Sequence, residues 1–130
     1  MRDSAVQVPK IEFIGVERVF DPPTKSASTV TAVSGLDLQV EKSEIVSIVG
    51  PTGCGKSTAM NMVAGFDEHT NGRLLLDGHV IHGPGPDRSV VFQHAALFPW
   101  MNVLENVVFG VKTHGMPKDQ YLEKAATLLK

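Results

Sequence analysis

Apolar positions along the chain change period several times, and each change marks an element. Residues 11–20 (IEFIGVERVF) are rich in β-branched and aromatic side chains and read as a strand. Residues 30–40 (VTAVSGLDLQV) alternate at Leu36, Leu38 and Val40, the pattern of a half-buried strand. Between them DPPTKSAST is a loop by composition, two prolines followed by small polar residues. After a turn at EKSE, residues 45–49 (IVSIV) form a short, almost wholly apolar run, as expected of a strand buried on both faces. Residues 57–66 (STAMNMVAGF) switch to helical spacing at Met60, Val63 and Ala64, with Gly65 as the stop. RLLLDGHVI (73–81) sets Asp77-Gly78 between two apolar runs, the strongest short-range hairpin signal. SVVF (89–92) reads as another short strand. NVLENVVFGV (102–111) is helical through Val103, Val107 and Val108. PKDQYLEKAATLLK (117–130) predicts an amphipathic helix with Pro117 in its first turn and a stripe of Tyr121, Leu122, Ala125, Leu128 and Leu129. That helix carries no stop signal, so the chain is expected to end within it. Residues 1–10 are a polar lead-in, and there is no internal repeat or low-complexity tract.

Composition narrows the class. The chain of 130 residues is long enough for one domain with a real core, and 42% hydrophobic against 20% charged residues is globular rather than disordered. A net charge of −2 argues against a general nucleic-acid or acidic-membrane binder, which carries a basic excess. The single cysteine, Cys54, permits no intramolecular disulfide and fits a reducing compartment. No apolar run approaches the ~18 residues of a membrane span. The lead-in lacks the apolar core of a secretory signal, so the expected location is cytoplasmic.

Chemistry concentrates at residues 50–58, GPTGCGKST, which match GxxxxGK[ST] in full. Each residue type there has a mechanical reason. Gly50, Gly53 and Gly55 let the backbone wrap tightly. Successive N–H groups of the loop, which also holds Pro51, Thr52 and Cys54, then point inward as an anion nest. The helix that follows adds its positive end. Lys56 supplies a full charge for the β- and γ-phosphates, Ser57 a hydroxyl for Mg²⁺, and Thr58 a contact to the α-phosphate. The buried-type run before the loop and the helix after it are the context this motif demands. Cys54 reads either as a small filler of the loop or as a reactive thiol beside a helix N-terminus.

The other segments choose among nucleotide machines. GPTGCGKST with MNMVAGF after it, the hairpin GRLLLDGHVIHGPGPDR, and VFQHAALFPWMNVLENVVFG resemble the ATP-binding subunit of an ABC transporter. The wording LFPWMNVLENVVFG is most similar to the nitrate, sulfonate and taurine importers, and the resemblance runs from about Ile11 to Lys130. It implies an α/β fold, a P-loop NTPase core of the ABC ATPase type, with an antiparallel β part and the start of a helical subdomain over residues 112–130. It implies ATP and Mg²⁺ as cofactors. Phe20 is similar to the aromatic that stacks on adenine. Gln93 is similar to the Q-loop glutamine, which contacts Mg²⁺ or the attacking water, so Lys56 and Gln93 are the catalytic candidates and Ser57 and Gln93 the metal-contacting ones. The region from Gln93 to Asn106, with Phe98, Pro99 and Trp100, resembles the surface that docks a membrane permease. A second copy of the ATPase is the implied partner, as a homodimer, and a solute-binding protein acts indirectly. The chain is then expected to be peripheral on the inner face of the cell membrane.

Departures from the family pattern are equally legible. Ser43 stands where a turn glycine is usual, and Ala59 and Met60 where two leucines are common. No LSGGQ-like signature, no apolar strand ending in Asp-Glu (the Walker B acid) and no later switch histidine occur in the 130 residues. The chain therefore reads as a single, incomplete ATP-binding domain, the N-terminal half, which binds ATP·Mg without efficient hydrolysis. Unpaired, the IVSIV strand would expose an edge, so poor stability or aggregation is expected. Two other readings stay open, a non-catalytic nucleotide-binding remnant or regulator and a different small P-loop phosphotransferase.

Overall fold

The computed structural model describes residues 8–22, 28–94 and 96–129. They fall into two compact units, Met1–Val90 and Val91–Lys130, each described by itself. No helix among the described residues is long and apolar enough to cross a membrane.

The first unit is a four-stranded antiparallel sheet with one helix. Its strands are β1 (Ile11–Phe20), β2 (Val30–Val40), β3 (Asn71–Leu76) and β4 (His79–Val80), and its helix is α1 (Lys56–Ala64). The strand order is β2-β1-β3-β4, so β1 is central. Phe13 pairs with Leu38 on one side and Leu74 on the other. Phe13 and Val16 are both buried although three residues apart, because the register slips between them. That β-bulge restores the inward face. The N–H of Gly15 within it donates to Asp37 Oδ1 at 2.7 Å. Phe13, Val16, Leu74 and Met62 of α1 form the core, with Leu36 and Leu38 packed against it. The alternation expected along β2 is therefore present, its apolar residues half-buried. The hairpin is also as expected, with Asp77 at φ 48 and Gly78 at φ 77, the backbone of a type I′ turn.

The helix after the glycine-rich loop starts and stops close to its expected bounds. It ends at Gly65, whose φ of 78 lets the chain reverse while the N–H groups of Gly65 and Phe66 reach Met62 and Asn61 carbonyls. Its inward face needs correction. Ala59, Met62 and Ala64 are buried, whereas Met60 is 54% exposed.

A larger correction concerns the two short apolar runs. Residues 45–49 and 89–92 form no strand. Ile45 is 95% exposed and Val91 97% exposed. A strand buried on both faces needs neighbours on both edges. All ladder partners in the described sheet are taken up among β1–β4, and none pairs with either run. The parallel part of the expected α/β core is thus not formed by these residues, and the sheet present is the antiparallel part.

Ser43, at the turn after β2, has a φ of 66. Left-handed backbone costs a residue with a Cβ about 1 kcal/mol, which is why glycine suits this turn. Ser43→Gly is expected to raise unfolding free energy by roughly 0.5–1 kcal/mol, less the entropy that glycine adds to the unfolded chain. Urea unfolding checks this, and a clear loss of stability would contradict the left-handed turn.

The second unit pairs α2 (Val103–Thr113) with α3 (Lys118–Leu128). A capping box opens α2, with Asn102 Oδ1 accepting from the Glu105 N–H at 2.9 Å and Glu105 Oε2 from the Asn102 N–H at 2.8 Å. Pro117 stands just before α3, at its N-cap, rather than in its first turn. Val108 and Ala125 are the buried residues of the pair. The stripe expected along α3 turns inward only in part, since Leu128 is 80% exposed.

Candidate functional site

Residues 50–58 link the apolar run to α1, and their geometry follows from their glycines. Gly53 and Gly55 have φ of 83 and 92, and Gly55 is the N-cap of α1. A Cβ on Gly50 would lie 2.6 Å from Cys54 Sγ, so the two ends of the loop come close and a side chain at 50 would displace the thiol. A Cβ on Gly55 would lie 2.3 Å from the Ala32 carbonyl oxygen, so the loop is seated directly on β2. No side chain caps α1 and no acidic residue lies in its first turn. Its first N–H groups have no carbonyl one turn back within the helix and are left for an anion.

Lys56 completes the arrangement. Its Nζ donates to the Gly50 carbonyl at 2.8 Å and to the Pro51 carbonyl at 2.6 Å, and lies 3.5 Å from Cys54 Sγ. The ammonium is folded back over the loop, two of its three donors held by the loop's own backbone. Cys54 and Ser57 are exposed, and Thr58 is half-buried. A groove of about 670 Å³ lies between β2 and residues 46–49, with Cys54, Gly55 and Lys56 on its wall.

Phe20 ends β1 and pairs with Val30 of β2. Two residues along β2 is Ala32, on whose carbonyl Gly55 rests, so the sheet carries Phe20 and the loop on neighbouring strand positions. The ring is 37% exposed. The insert after it falls partly on residues 23–27, outside the described residues.

Gln93 belongs to the second unit and is exposed in a bend. Phe98 there packs in tilted contact with Phe109 at 4.6 Å and with Trp100 at 5.5 Å between ring centroids. Trp100 itself is 75% exposed. An apolar cavity of about 310 Å³ is lined by Leu97, Phe98, Pro99 and Val107 among others.

The role of Asn106 is not legible from sequence spacing. Its side-chain amide donates to the Phe98, Met101 and Asn102 carbonyls at 3.0–3.2 Å, and its Oδ1 accepts the Phe98 N–H at 2.8 Å. It clamps the aromatic turn onto α2. The ion pair between Arg18 and Asp67 escapes sequence reading as well, since nothing local joins residues so far apart. A polar residue one turn into a capped helix is a weak signal for such a clamp.

Residues 33–130 match the family described as ABC transporter. An uncharacterized ABC transporter ATP-binding protein of Methanocaldococcus jannaschii is 43% identical over 105 residues, covering 81% of this chain and 39% of that protein. The taurine import ATP-binding protein of Ruegeria pomeroyi is 45% identical over 102 residues, covering 78% of this chain and 37% of that protein. The chain thus spans about two fifths of the length of these curated relatives. Among solved structures, a dimeric ATP-binding cassette in a post-hydrolysis state bound to ADP and Pi superposes with a TM-score of 0.76. That match is 24% identical and covers 90% of this chain and 54% of the other, a likeness of fold.

Proposed function

Because the chain belongs to the ABC transporter family, we propose that it is the phosphate-gripping portion of an importer's ATP-binding subunit, of the nitrate, sulfonate and taurine kind. The observation that carries this reading is the position of Lys56, whose ammonium sits on the Gly50 and Pro51 carbonyls at the mouth of a loop whose Gly55 is pressed against the Ala32 carbonyl. A triphosphate suits that loop. It accepts from the N–H groups of the loop and of the first turn of α1, and it takes the ammonium over from the carbonyls. Residues 50–58 would hold the phosphates, Ser57 and Gln93 would hold Mg²⁺, and Phe20 would stack on the base. The metal supplies charge that neutralises the β- and γ-phosphate oxygens.

In the whole protein the grip would serve ATP hydrolysis coupled to solute uptake, with Lys56 and Gln93 as catalytic groups. The partners would be a permease docked over residues 93–106, a second ATPase subunit, and a solute-binding protein acting through the permease, on the cytoplasmic face of the membrane. Residues 112–130 would open the helical subdomain. Positioning and charge stabilisation carry most phosphoryl-transfer catalysis. The 130 residues hold no LSGGQ-like segment and no apolar run ending in Asp-Glu. This chain alone therefore binds ATP·Mg without efficient turnover.

Cys54 reports on the site. Its thiol is exposed and lies in the loop, so a maleimide reagent is expected to label it. Mg-ATP at ten times its Kd leaves about one tenth of the chains unoccupied, and labelling slows by a similar factor. Equal labelling rates with and without nucleotide would count against the loop as the binding site.

A further inference from the structure

Arg18 makes two contacts that the phosphate grip does not explain. Its guanidinium carbon lies over the Phe20 ring, 4.3 Å from the centroid. Its Nη2 pairs with Asp67 Oδ1 at 2.7 Å, with side chains only 24% and 20% exposed. Among the described residues its buried Nε–H has no acceptor, a cost that a solvent-facing arginine would avoid. We propose that Arg18 is a positioning residue of the nucleotide site: it fixes the Phe20 ring as a platform for the base and ties that platform to α1 through Asp67.

Phe20 is the last residue of β1, paired with Val30 of β2. A phenyl ring at a strand end has two free torsions, and stacking on a base needs one orientation of them. An arginine plane laid on one face selects that orientation and leaves the other face for a ligand. The arginine is itself held by Asp67, which follows the C-terminal cap of α1. The N-terminal end of α1 is Lys56 and the phosphate loop. One rigid helix thus has the phosphate grip at its start and the anchor of the base platform just past its end. The sheet supplies a second link, since Phe20 pairs with Val30 and the Ala32 carbonyl rests against Gly55. Val30 and Ala32 lie about 7 Å apart along β2.

This inference rests on the phosphate reading above, and the test separates the two. Mg-ATP and Mg-tripolyphosphate, which shares the phosphates and lacks the base, are titrated calorimetrically into the full 130-residue chain, Arg18→Met and Asp67→Asn. Apparent affinity scales with the fraction of molecules in the competent conformation, so freeing the ring is expected to weaken Mg-ATP about three- to ten-fold in both variants. Tripolyphosphate affinity is expected to stay at the wild-type value, which also shows that each variant is folded. Equal losses on both ligands would make Arg18 a structural or phosphate-contacting residue and overturn the inference. So would unchanged Mg-ATP binding, or tighter Mg-ATP binding in Asp67→Asn, where losing a carboxylate would favour an anion directly. A wild-type chain that binds tripolyphosphate as tightly as Mg-ATP removes the base platform alone. One that binds neither ligand removes the phosphate reading and this one with it.

Discussion

Lys56→Ala is expected to weaken Mg-ATP binding about 100-fold or more while leaving the chain folded. The two effects separate because the ammonium has different worth in the two settings. In the free chain it donates to the Gly50 and Pro51 carbonyls at a solvent-exposed position. Hydrogen bonds of that kind exchange readily with water, so their loss costs less than about 1 kcal/mol of stability. Against a triphosphate the same group forms charge-assisted hydrogen bonds, roughly twice as strong as neutral ones, on an anion otherwise held by backbone N–H groups. Removing one partner of such a bond leaves charge unpaired and costs about 3 kcal/mol, which is the hundred-fold expected. Lys56→Arg is expected to restore little, since a planar fork does not fit where a compact point charge sits. Calorimetric titration beside a thermal melt checks both halves. Binding within three-fold of wild type would show that the phosphates are held elsewhere.

Gly55→Ala is the second large effect, and it acts on stability and binding together. Gly55 has a φ of 92, and the added Cβ would lie 2.3 Å from the Ala32 carbonyl oxygen and 3.3 Å from Val33 Cγ2. The left-handed backbone alone costs a few kcal/mol at most. The clash is with backbone of a paired strand and cannot be relieved by a rotamer change. Together they are expected to cost about 3 kcal/mol or more, a large share of the stability of a small unit. The melting temperature should fall by about 10 °C or more, because a domain of this size loses several degrees per kcal/mol. Gly53→Ala is the comparison. Its φ is 83, yet its Cβ would meet nothing within 4 Å. It is expected to cost only about 1 kcal/mol, from strain without a clash. Equal losses in the two variants would mean that the loop is not seated on β2 as described.

Legibility in the sequence followed the locality of each interaction. The glycine-rich loop, α1, the Asp77-Gly78 hairpin and α2 are specified by residues within a few positions of one another, and each is where its pattern places it. The strand IVSIV is the opposite case. Its pattern states that both faces want to be buried, but not what would bury them. Among the described residues nothing pairs with it, and Val49 is 90% exposed. The inward face of α1 was misplaced for a related reason. Ala59 and Met62 face the sheet because Gly55 rests on β2 and fixes the rotation of the helix, a tertiary fact that helical period cannot supply. Ser43 was legible as a departure from the family pattern, and its φ of 66 gives that departure a physical cost. The Arg18–Asp67 pair and the Asn106 clamp depend on partners that only the fold brings near.

The central claim is that the backbone of residues 53–58 and the Lys56 ammonium grip the phosphates of ATP. The most direct measurement is a Mg-ATP titration of the ¹⁵N-labelled chain, followed residue by residue through its amide resonances. The expected result is a saturable shift concentrated at Gly53, Gly55, Lys56, Ser57 and Thr58, reproduced by Mg-tripolyphosphate and lost in Lys56→Ala. Saturable shifts confined to other residues, or none at all at millimolar nucleotide, would contradict it.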